Sequence, residues 1–243
     1  MAGNPCEGAG AAPAAPVVDW SALAPGALLG EGASGQVHAA TWAGRPVALK
    51  LFKGAMTSDG LPEREMAACL AAGAHPNLIG ALGRLAGHPE AAQGLVMPRL
   101  PAAWRVLAGP PSLESCSRDV YDPALRLTPE VALRIARGIG AAAAHLHGQG
   151  LLHGDLYAHN VLWDGTAGEA VLSDLGAAAV LPPGALGETL QRLEVRAWGL
   201  LLDELLDRCG AAPAAARAVA QACTQPVVAA RPRLAEALAL LPG

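Results

Sequence analysis

The stretch from Leu28 to Phe52 constrains the fold most, because it joins a glycine-rich turn to two strand patterns. Residues 30–37 read GEGASGQV, which has the form G-x-G-x-x-G-x-V. Apolar and polar residues then alternate to Thr41, and residues 47–52 form a second apolar run after an Ala-Gly turn. A dinucleotide-binding fold would need a helix directly after the glycines. The pattern instead predicts a hairpin whose backbone N–H groups can approach phosphate, although a turn without any ligand remains an alternative in a chain with 29 glycines.

The remainder of the first 100 residues reads as a sheet with one helix. A helix over EREMAACLAA is predicted to begin at Pro62 and to end at Gly73. Two further short apolar strands are predicted at Leu78–Leu82 and at Gly94–Met97.

The second part of the chain is predicted to be helical, so the fold class is α+β. Thr128 and Pro129 form a helix start, and apolar residues then recur at 3.6-residue spacing up to Leu146. The segments LEVRAWGLLLDELLDRC and PAAARAVAQACTQ predict two more helices. Residues 103–127 read as a long polar loop to which the sequence assigns no role.

Composition excludes several classes of protein. A hydrophobic content of 52% with 16% charged residues indicates a globular chain, and a net charge of −4 gives no reason to expect nucleic acid or an anionic membrane as a partner. The chain has five cysteines, an odd number, and no two of them stand at C-x-x-C spacing. This pattern argues against a disulfide framework, so we expect reduced thiols and a cytoplasmic protein. We also expect no membrane span, no signal peptide and a disordered Gly/Ala/Pro-rich tail over residues 1–18.

A buried lysine is the first candidate for chemistry. Lys50 ends the apolar VALK run, and the chain has only one other lysine, Lys53. An ammonium group on a buried strand is costly unless it is paired. The available partners are a phosphate group and the carboxylate of Glu65 on the following helix, with Glu63 as the alternative carboxylate.

Two later motifs place acids and an amide next to apolar strands. In HGDLYAHNVLWD, Asp155 follows the Leu151-Leu152 pair and can act as a base, while Asn160 can offer its amide oxygen to a metal ion. In SDLG, Asp174 follows the apolar residues 170–172, and a carboxylate at a strand end suits a hard cation such as Mg²⁺.

These motifs in this order resemble the protein kinase family over roughly residues 28–240. The resemblance implies a two-lobed fold, an N-lobe over residues 19–100 and a C-lobe over residues 101–243, with ATP and Mg²⁺ in the cleft. It implies Asp155 as the catalytic base, Lys50 on the α- and β-phosphates and paired with Glu65, and Asn160 and Asp174 as metal ligands. The residues implied to bind the nucleotide are Gly30, Gly32, Gly35, Val37, Ala48, Lys50, Met97, Pro98, Leu100 and Leu162.

The resemblance also implies the roles of the hinge residues. Met97 corresponds to the gatekeeper, and Pro98 follows it. Adenine needs only a carbonyl from the position of Pro98, so the missing N–H of proline costs nothing there. Leu100 must donate its N–H. The Arg231-Pro232 pair is similar to a late Arg-Pro pair of the family.

Departures from the family pattern concern regulation and rate. The family's usual His-Arg-Asp motif reads His153-Gly154-Asp155 in this chain. In the segment of residues 177–193, only Thr189 carries a hydroxyl group. We therefore expect no phosphorylation switch in that segment, which is also short for a protein-docking loop. Tyr157 and His159 stand where kinases carry a lysine or an arginine after the base, which implies slow turnover.

Smaller departures are conservative, and a metal cluster of histidines is disfavoured. Glu194 replaces an aspartate that braces the catalytic loop, and Leu175 replaces the usual phenylalanine. His145, His147, His153 and His159 could suggest zinc, but the first two lie two residues apart on a predicted helix and point in different directions.

Three functions fit the sequence. The first is an ATP-dependent protein kinase that phosphorylates a hydroxyl group, with serine/threonine or tyrosine specificity left open. The second is a small-molecule kinase of the aminoglycoside or choline phosphotransferase type, whose loop also reads H-G-D-x-x-x-x-N. The third is a pseudokinase that serves as a binding module.

Overall fold

The structure is a computed structural model that describes residues 16–32, 34–54 and 61–242. Most of the predicted tail and Ala33 of the glycine-rich turn lie outside the described residues. In the described ranges, no helix is long and apolar enough to cross a bilayer.

The N-terminal lobe is a six-stranded sheet with one helix. The strand order is β1-β5-β6-β4-β3-β2, and every neighbouring pair is antiparallel except β1 and β5. The strands are β1 Val17–Asp19, β2 Leu23–Glu31, β3 Gly35–Trp42, β4 Arg45–Phe52, β5 Gly83–Ala86 and β6 Gly94–Pro98. The helix is α1, Pro62–Ala72, with proline in its first turn and Gly73 as its C-cap residue, as the sequence predicts.

Two predictions for this lobe are wrong in their boundaries. Val17 and Val18 belong to β1, so the tail predicted to reach residue 18 extends too far; Val18 is buried in the sheet's apolar cluster. The strand predicted at Leu78–Leu82 is displaced to β5, because the backbone of residues 77–79 pairs instead with Leu172 of the other lobe. This segment thereby connects the lobes.

The C-terminal lobe is mainly helical. Its helices are α2 Pro129–Gly148, α3 Ala185–Leu206, α4 Ala214–Cys223 and α5 Leu234–Leu240. Short strands form two small sheets, ordered β10-β9-β7 and β11-β8. These strands are β7 Arg105–Val106, β8 Leu151–Leu152, β9 Val161–Trp163, β10 Ala170–Leu172 and β11 Ala179–Val180. Single 3-10 turns occur at Trp20–Ala22, Ala158–Asn160 and Val228–Ala230. The mixed α+β architecture in two lobes agrees with the predicted fold class.

The core of the C-terminal lobe forms around α2 and α3. The Thr128 hydroxyl accepts a hydrogen bond from the Val131 N–H at 3.3 Å, which caps α2 as predicted. Ile135, Ile139 and Leu146 are fully buried on one face of α2. Trp198 of α3 packs there too and donates a hydrogen bond from its indole to the Ala136 carbonyl at 2.8 Å. This core fixes the helices that support the loops at the cleft.

Helix α3 begins eight residues earlier than the sequence pattern predicts, at Ala185 instead of Leu193. The Thr189 hydroxyl donates to the Ala185 carbonyl at 2.8 Å within its first turn. Only residues 177–184 therefore connect Gly176 to α3, and β11 within this connection pairs with β8.

We predict that Gly35→Ala destabilises the sheet while Gly30→Ala does not. A Cβ at Gly35 would lie 2.2 Å from the Leu51 carbonyl oxygen, whereas a Cβ at Gly30 meets nothing within 4 Å. Forcing atoms into a packed site costs about 1–3 kcal/mol. Urea unfolding of the two variants measures the difference in the free energy of unfolding, and equal values would contradict the prediction.

Candidate active site

A cleft of about 520 Å³ lies between the two lobes. Eight of the residues predicted to bind the nucleotide line this cleft: Gly30, Val37, Ala48, Lys50, Met97, Pro98, Leu100 and Leu162. Glu65 and Asp174 also line it. Gly32, Gly35, Asp155 and Asn160 are not among the lining residues. Sequence reasoning missed Leu29, Ile79, Arg99 and Trp104, which also border the cleft and carry no motif.

The outer part of the cleft has apolar walls from both lobes. Ala48 on β4 lies directly opposite Met97 on β6, and Leu162 on β9 comes from the C-terminal lobe. Pro98 ends β6 and Leu100 lies two residues beyond it, so both border the cleft where the lobes connect. This arrangement suits a flat apolar ring with a few polar atoms at its edge.

The inner part of the cleft contains a buried ion pair. The Lys50 ammonium donates a hydrogen bond to the Glu65 carboxylate, and the two side chains are only 11% and 6% exposed. The alternative carboxylate, Glu63, is exposed and accepts instead from Gln93 at 3.4 Å. Glu65 is therefore the partner of Lys50, and the pair connects β4 to α1 at the base of the cleft.

The three glycines of the turn between β2 and β3 have different surroundings. The Gly32 N–H donates to the Gly35 carbonyl at 2.9 Å and closes the turn. A Cβ at Gly30 or at Gly32 would enter open space, while Gly35 packs against the backbone of β4. Gly30 and Gly32 thus leave room for a ligand near the backbone, and Gly35 serves packing.

Asp155 and Asn160 are joined by direct hydrogen bonds. The Asn160 amide nitrogen donates to the Asp155 backbone carbonyl and to its Oδ2, both at 2.8 Å. Asn160 is buried, and the Asp155 side chain is 42% exposed. The amide nitrogen is committed to Asp155, and among the described residues no hydrogen bond reaches the amide oxygen of Asn160, so this oxygen can act as a ligand.

The loop that carries Asp174 is tied to the same segment. Ser173 donates its N–H and its hydroxyl to the Asn160 carbonyl at 2.8 and 2.9 Å. Buried His153 bonds the Ser173 carbonyl through Nε2 at 2.9 Å and accepts the Asp155 N–H through Nδ1 at 3.3 Å. Asp174 itself has a left-handed backbone with φ of 61°, which is uncommon outside glycine and frequent at functional sites.

Glu194 of α3 braces the loop from beneath. Its carboxylate accepts from the Gly154 N–H at 2.8 Å and pairs with His147 Nε2 at 2.7 Å. Burial alone would raise the pKa of Glu194, but the bond to His147, the nearby His153 and the Gly154 N–H hold that pKa below its ordinary value. Glu194 therefore stays ionised under the loop.

The histidines play separate structural roles. His145 Nε2 bonds the Ala72 carbonyl at 2.7 Å, whereas His147 faces Glu194, so the two rings point apart as expected. Over the part of the chain that the structure describes, no group of three or more His, Cys, Asp and Glu side chains forms a metal cluster. Burial also raises the pKa of the Cys69 thiol at the cleft to about 12, which disfavours its nucleophilic thiolate form.

Asp119, in the loop with no assigned role, is a residue that the sequence analysis missed. Its buried carboxylate accepts hydrogen bonds from the Ala158 and His159 N–H groups and from the His159 ring. Its flanking residues form no motif in the sequence, so the contact becomes apparent only from the fold.

Comparison with known families agrees with this geometry. A family model described as the protein kinase domain matches residues 24–191, more than half of the chain. The chain belongs to the protein kinase family. Protein kinase domains generally use ATP and Mg²⁺, and the matched region contains the cleft, the Lys50–Glu65 pair and the loops of Asp155 and Asp174. A search of curated proteins found no significant match.

We predict that Glu194→Gln lowers the free energy of unfolding by about 1.5–3 kcal/mol at neutral pH, the range for hydrogen bonds to a charged group. Because the folded pKa of Glu194 is depressed, its stabilisation is present above the ordinary pKa of 4.5 and is lost as the pH falls through the folded pKa. The difference between the wild type and the variant should therefore shrink on acidification. Denaturant titrations at neutral and acidic pH measure it, and a difference independent of pH would contradict the assignment.

Proposed function

We propose that this kinase-family chain is an ATP-dependent phosphotransferase that moves the γ-phosphate of ATP to a hydroxyl group, with a protein as its acceptor. The observation that carries the proposal is the buried Lys50–Glu65 pair at the base of a cleft that also contains Asp174. The Asp155–Asn160 pair, which is hydrogen-bonded to the same loops, supports the proposal further.

ATP fits the cleft in size and in chemistry. A volume of about 520 Å³ falls within the usual range for small-molecule sites. Val37, Ala48 and Leu162 offer apolar surface for adenine. Pro98 and Leu100 also line the cleft, and their backbone carbonyl and N–H are the groups proposed to contact the edge of the ring. Lys50 supplies the cation for the phosphates, with Glu65 holding its ammonium group.

Asn160 and Asp174 are the residues that would hold Mg²⁺. Both offer oxygen atoms, which this hard cation prefers. The hydrogen bonds from Ser173 to the Asn160 carbonyl join the backbone next to Asp174 to the backbone of Asn160. When bound, the metal ion supplies charge neutralisation on the phosphate oxygens.

Asp155 is the proposed general base. Its carboxylate accepts the proton of the acceptor hydroxyl as that oxygen forms a bond to the γ-phosphorus, and the bond from phosphorus to the bridging oxygen breaks to leave ADP. Asn160 holds Oδ2 of Asp155 in place, and the 42% exposure of the side chain leaves room for an acceptor. Such a base contributes about 10²- to 10⁴-fold in rate.

A small hydroxyl compound is the second candidate acceptor, and the short connection from Gly176 to α3 favours it. Residues 177–184 pair back onto β8 through β11, and the Leu181 N–H bonds the Gly150 carbonyl at 2.7 Å. This connection is too short to form a long peptide-docking segment. Protein and small-alcohol acceptors are therefore tested side by side.

We predict that Asp155→Asn lowers γ-phosphate transfer by about 10²- to 10⁴-fold without lowering ATP affinity, since the amide cannot act as a base. Lys50→Met should weaken the rise in melting temperature that ATP and Mg²⁺ produce, because it removes the cation from the cleft. Radiolabelled ATP with protein and small-alcohol acceptors measures the first effect, and a thermal-shift assay measures the second.

The outcomes of these assays separate the three functions. Transfer to proteins that Asp155→Asn abolishes supports a protein kinase, and transfer only to alcohols supports the small-molecule reading. A wild type that binds ATP and Mg²⁺ but transfers no phosphate would be a pseudokinase. A wild type that neither binds nor transfers would overturn the proposed function.

We further predict that Thr189→Ala and Thr189→Glu change activity less than twofold. The hydroxyl is engaged within the first turn of α3, so a phosphate there has no loop to order. Rates of the two variants, together with mass spectrometry of the purified wild type, check this prediction. A low ground-state activity released by phosphorylation of Thr189 would contradict it.

A further inference from the structure

The connection between β7 and α2 packs against the catalytic loop, residues 153–160. The Leu107 N–H bonds the Val161 carbonyl at 2.9 Å, and reciprocal backbone bonds of 2.8 Å join Gly109 to Val120. At its far end, the Tyr121 hydroxyl donates to the Glu204 carboxylate of α3 at 3.0 Å. The segment between these anchors carries Arg118 and Asp119 to the catalytic loop.

Asp119 caps the 3-10 turn at Ala158–Asn160 from outside that turn. Its Oδ2 accepts from the Ala158 N–H at 3.1 Å, and its Oδ1 accepts from the His159 N–H at 3.0 Å. The N-cap residue, Tyr157, makes no capping bond with its own side chain. The Asp119 side chain has 0% exposure, so it supplies these bonds without competition from water.

The same carboxylate fixes the ring of His159. His159 Nδ1 lies 2.7 Å from Asp119 Oδ1, so Nδ1 carries the proton in this bond. The His159 ring stacks on the Tyr157 ring, with the two ring centroids 5.4 Å apart. The Arg118 guanidinium lies over the Tyr157 ring, 4.2 Å from its centroid. Arg118 is itself held by Glu204 at 3.0 Å. The hydrogen bond to Asp119 and the stacking on Tyr157 together fix the orientation of the His159 ring.

The imidazole in turn borders the proposed base. His159 Nε2 lies 3.7 Å from Asp155 Oδ2, the oxygen that Asn160 also holds. Within residues 16–32, 34–54 and 61–242, no group donates a hydrogen bond to Asp155 Oδ1. The Asn160 amide therefore holds Oδ2, and the His159 ring lies beside that oxygen at a distance longer than a hydrogen bond, which leaves Oδ1 to receive the acceptor's proton.

We infer that Asp119 and His159 are positioning residues for phosphoryl transfer: buried Asp119 sets the 3-10 turn and the His159 ring, and the ring, packed beside Asp155 Oδ2, limits the rotation of the Asp155 carboxylate. This inference rests on the proposed function. His159 lies in the stretch of the catalytic loop where the family resemblance leads one to expect a cationic residue and where this chain has Tyr157 and His159.

The test compares three variants of the full chain. Asp119→Asn keeps the shape of the side chain but has one acceptor oxygen for three donors, and His159→Gln removes the ring while leaving the backbone bonds to Asp119 in place. Asp122→Asn is the matched control, because Asp122 lies in the same segment, is exposed and accepts only from the Ala124 N–H at 2.8 Å.

We expect kcat for phosphate transfer to fall about 10- to 100-fold in Asp119→Asn and His159→Gln, the usual cost of losing a residue that orients a reacting group. The KM for ATP should stay within about twofold, since neither residue lines the cleft. Asp122→Asn should match the wild type. A wild-type kcat in His159→Gln, or an equal rise in KM for ATP in both variants, would overturn the inference.

Nitrogen-15 NMR of the histidine rings tests the contact without relying on activity. In its neutral form, the wild-type His159 ring should carry its proton on Nδ1, and Asp119→Asn should shift it toward Nε2. If the wild type transfers no phosphate, the proposed function fails, and the spectrum alone decides the pairing. An Nδ1–H ring supports it, and an Nε2–H ring in the wild type overturns it. If Asp119→Asn does not fold, His159→Gln decides the kinetic arm.

Discussion

The buried ion pair of Lys50 and Glu65 is the constraint on which the site depends. An ammonium and a carboxylate at 11% and 6% exposure must give up most of their hydration, and a buried pair seldom gains net stability over apolar residues of the same size. The pair is thus better explained by the nucleotide site proposed for this cleft than by the stability of the fold. It also sets the register of α1 against β4, so the helix and the sheet form one wall of the cleft. Lys53, the other lysine, pairs with Glu31 at the surface, where little energy is at stake.

The catalytic loop is held by side chains that bond its backbone. Glu194 holds Gly154 from α3, His153 connects Asp155 to Ser173, and Asp119 holds the 3-10 turn from the segment before α2. The three side chains that make these bonds, Glu194, His153 and Asp119, are buried, where an unmade hydrogen bond is expensive, so each bond restricts the loop strongly. Three separate elements therefore converge on one loop of eight residues, and this convergence orients Asp155 although its side chain is 42% exposed.

The sequence predicts what depends on local pattern and misses what depends on packing. Strands β3 and β4, helix α1 with Gly73 at its end, and the capped start of α2 follow from periodicity and from capping residues. The sequence narrows the partner of Lys50 to Glu65 or Glu63 on the first helix after the strand, and the structure selects Glu65. The early start of α3 and the pairing of Leu78 with Leu172 depend on contacts between distant segments. Asp119 was missed for the same reason, since 39 residues separate it from the nearest backbone group that it holds.

Gly154 stands where the family's His-Arg-Asp motif has an arginine, and it packs against the short segment that follows Asp174. Its φ is 81°, and a Cβ there would lie 2.3 Å from the Ala177 carbonyl oxygen. The backbone of the connection to α3 thus occupies the space that a side chain at this position would need. An arginine could not be accommodated without displacing residues 177–184, which β11 holds against β8. In this chain the catalytic loop and the following segment are in contact through close backbone packing between Gly154 and Ala177. Glycine at position 154 and the close approach of the segment that follows Asp174 are therefore linked through one contact.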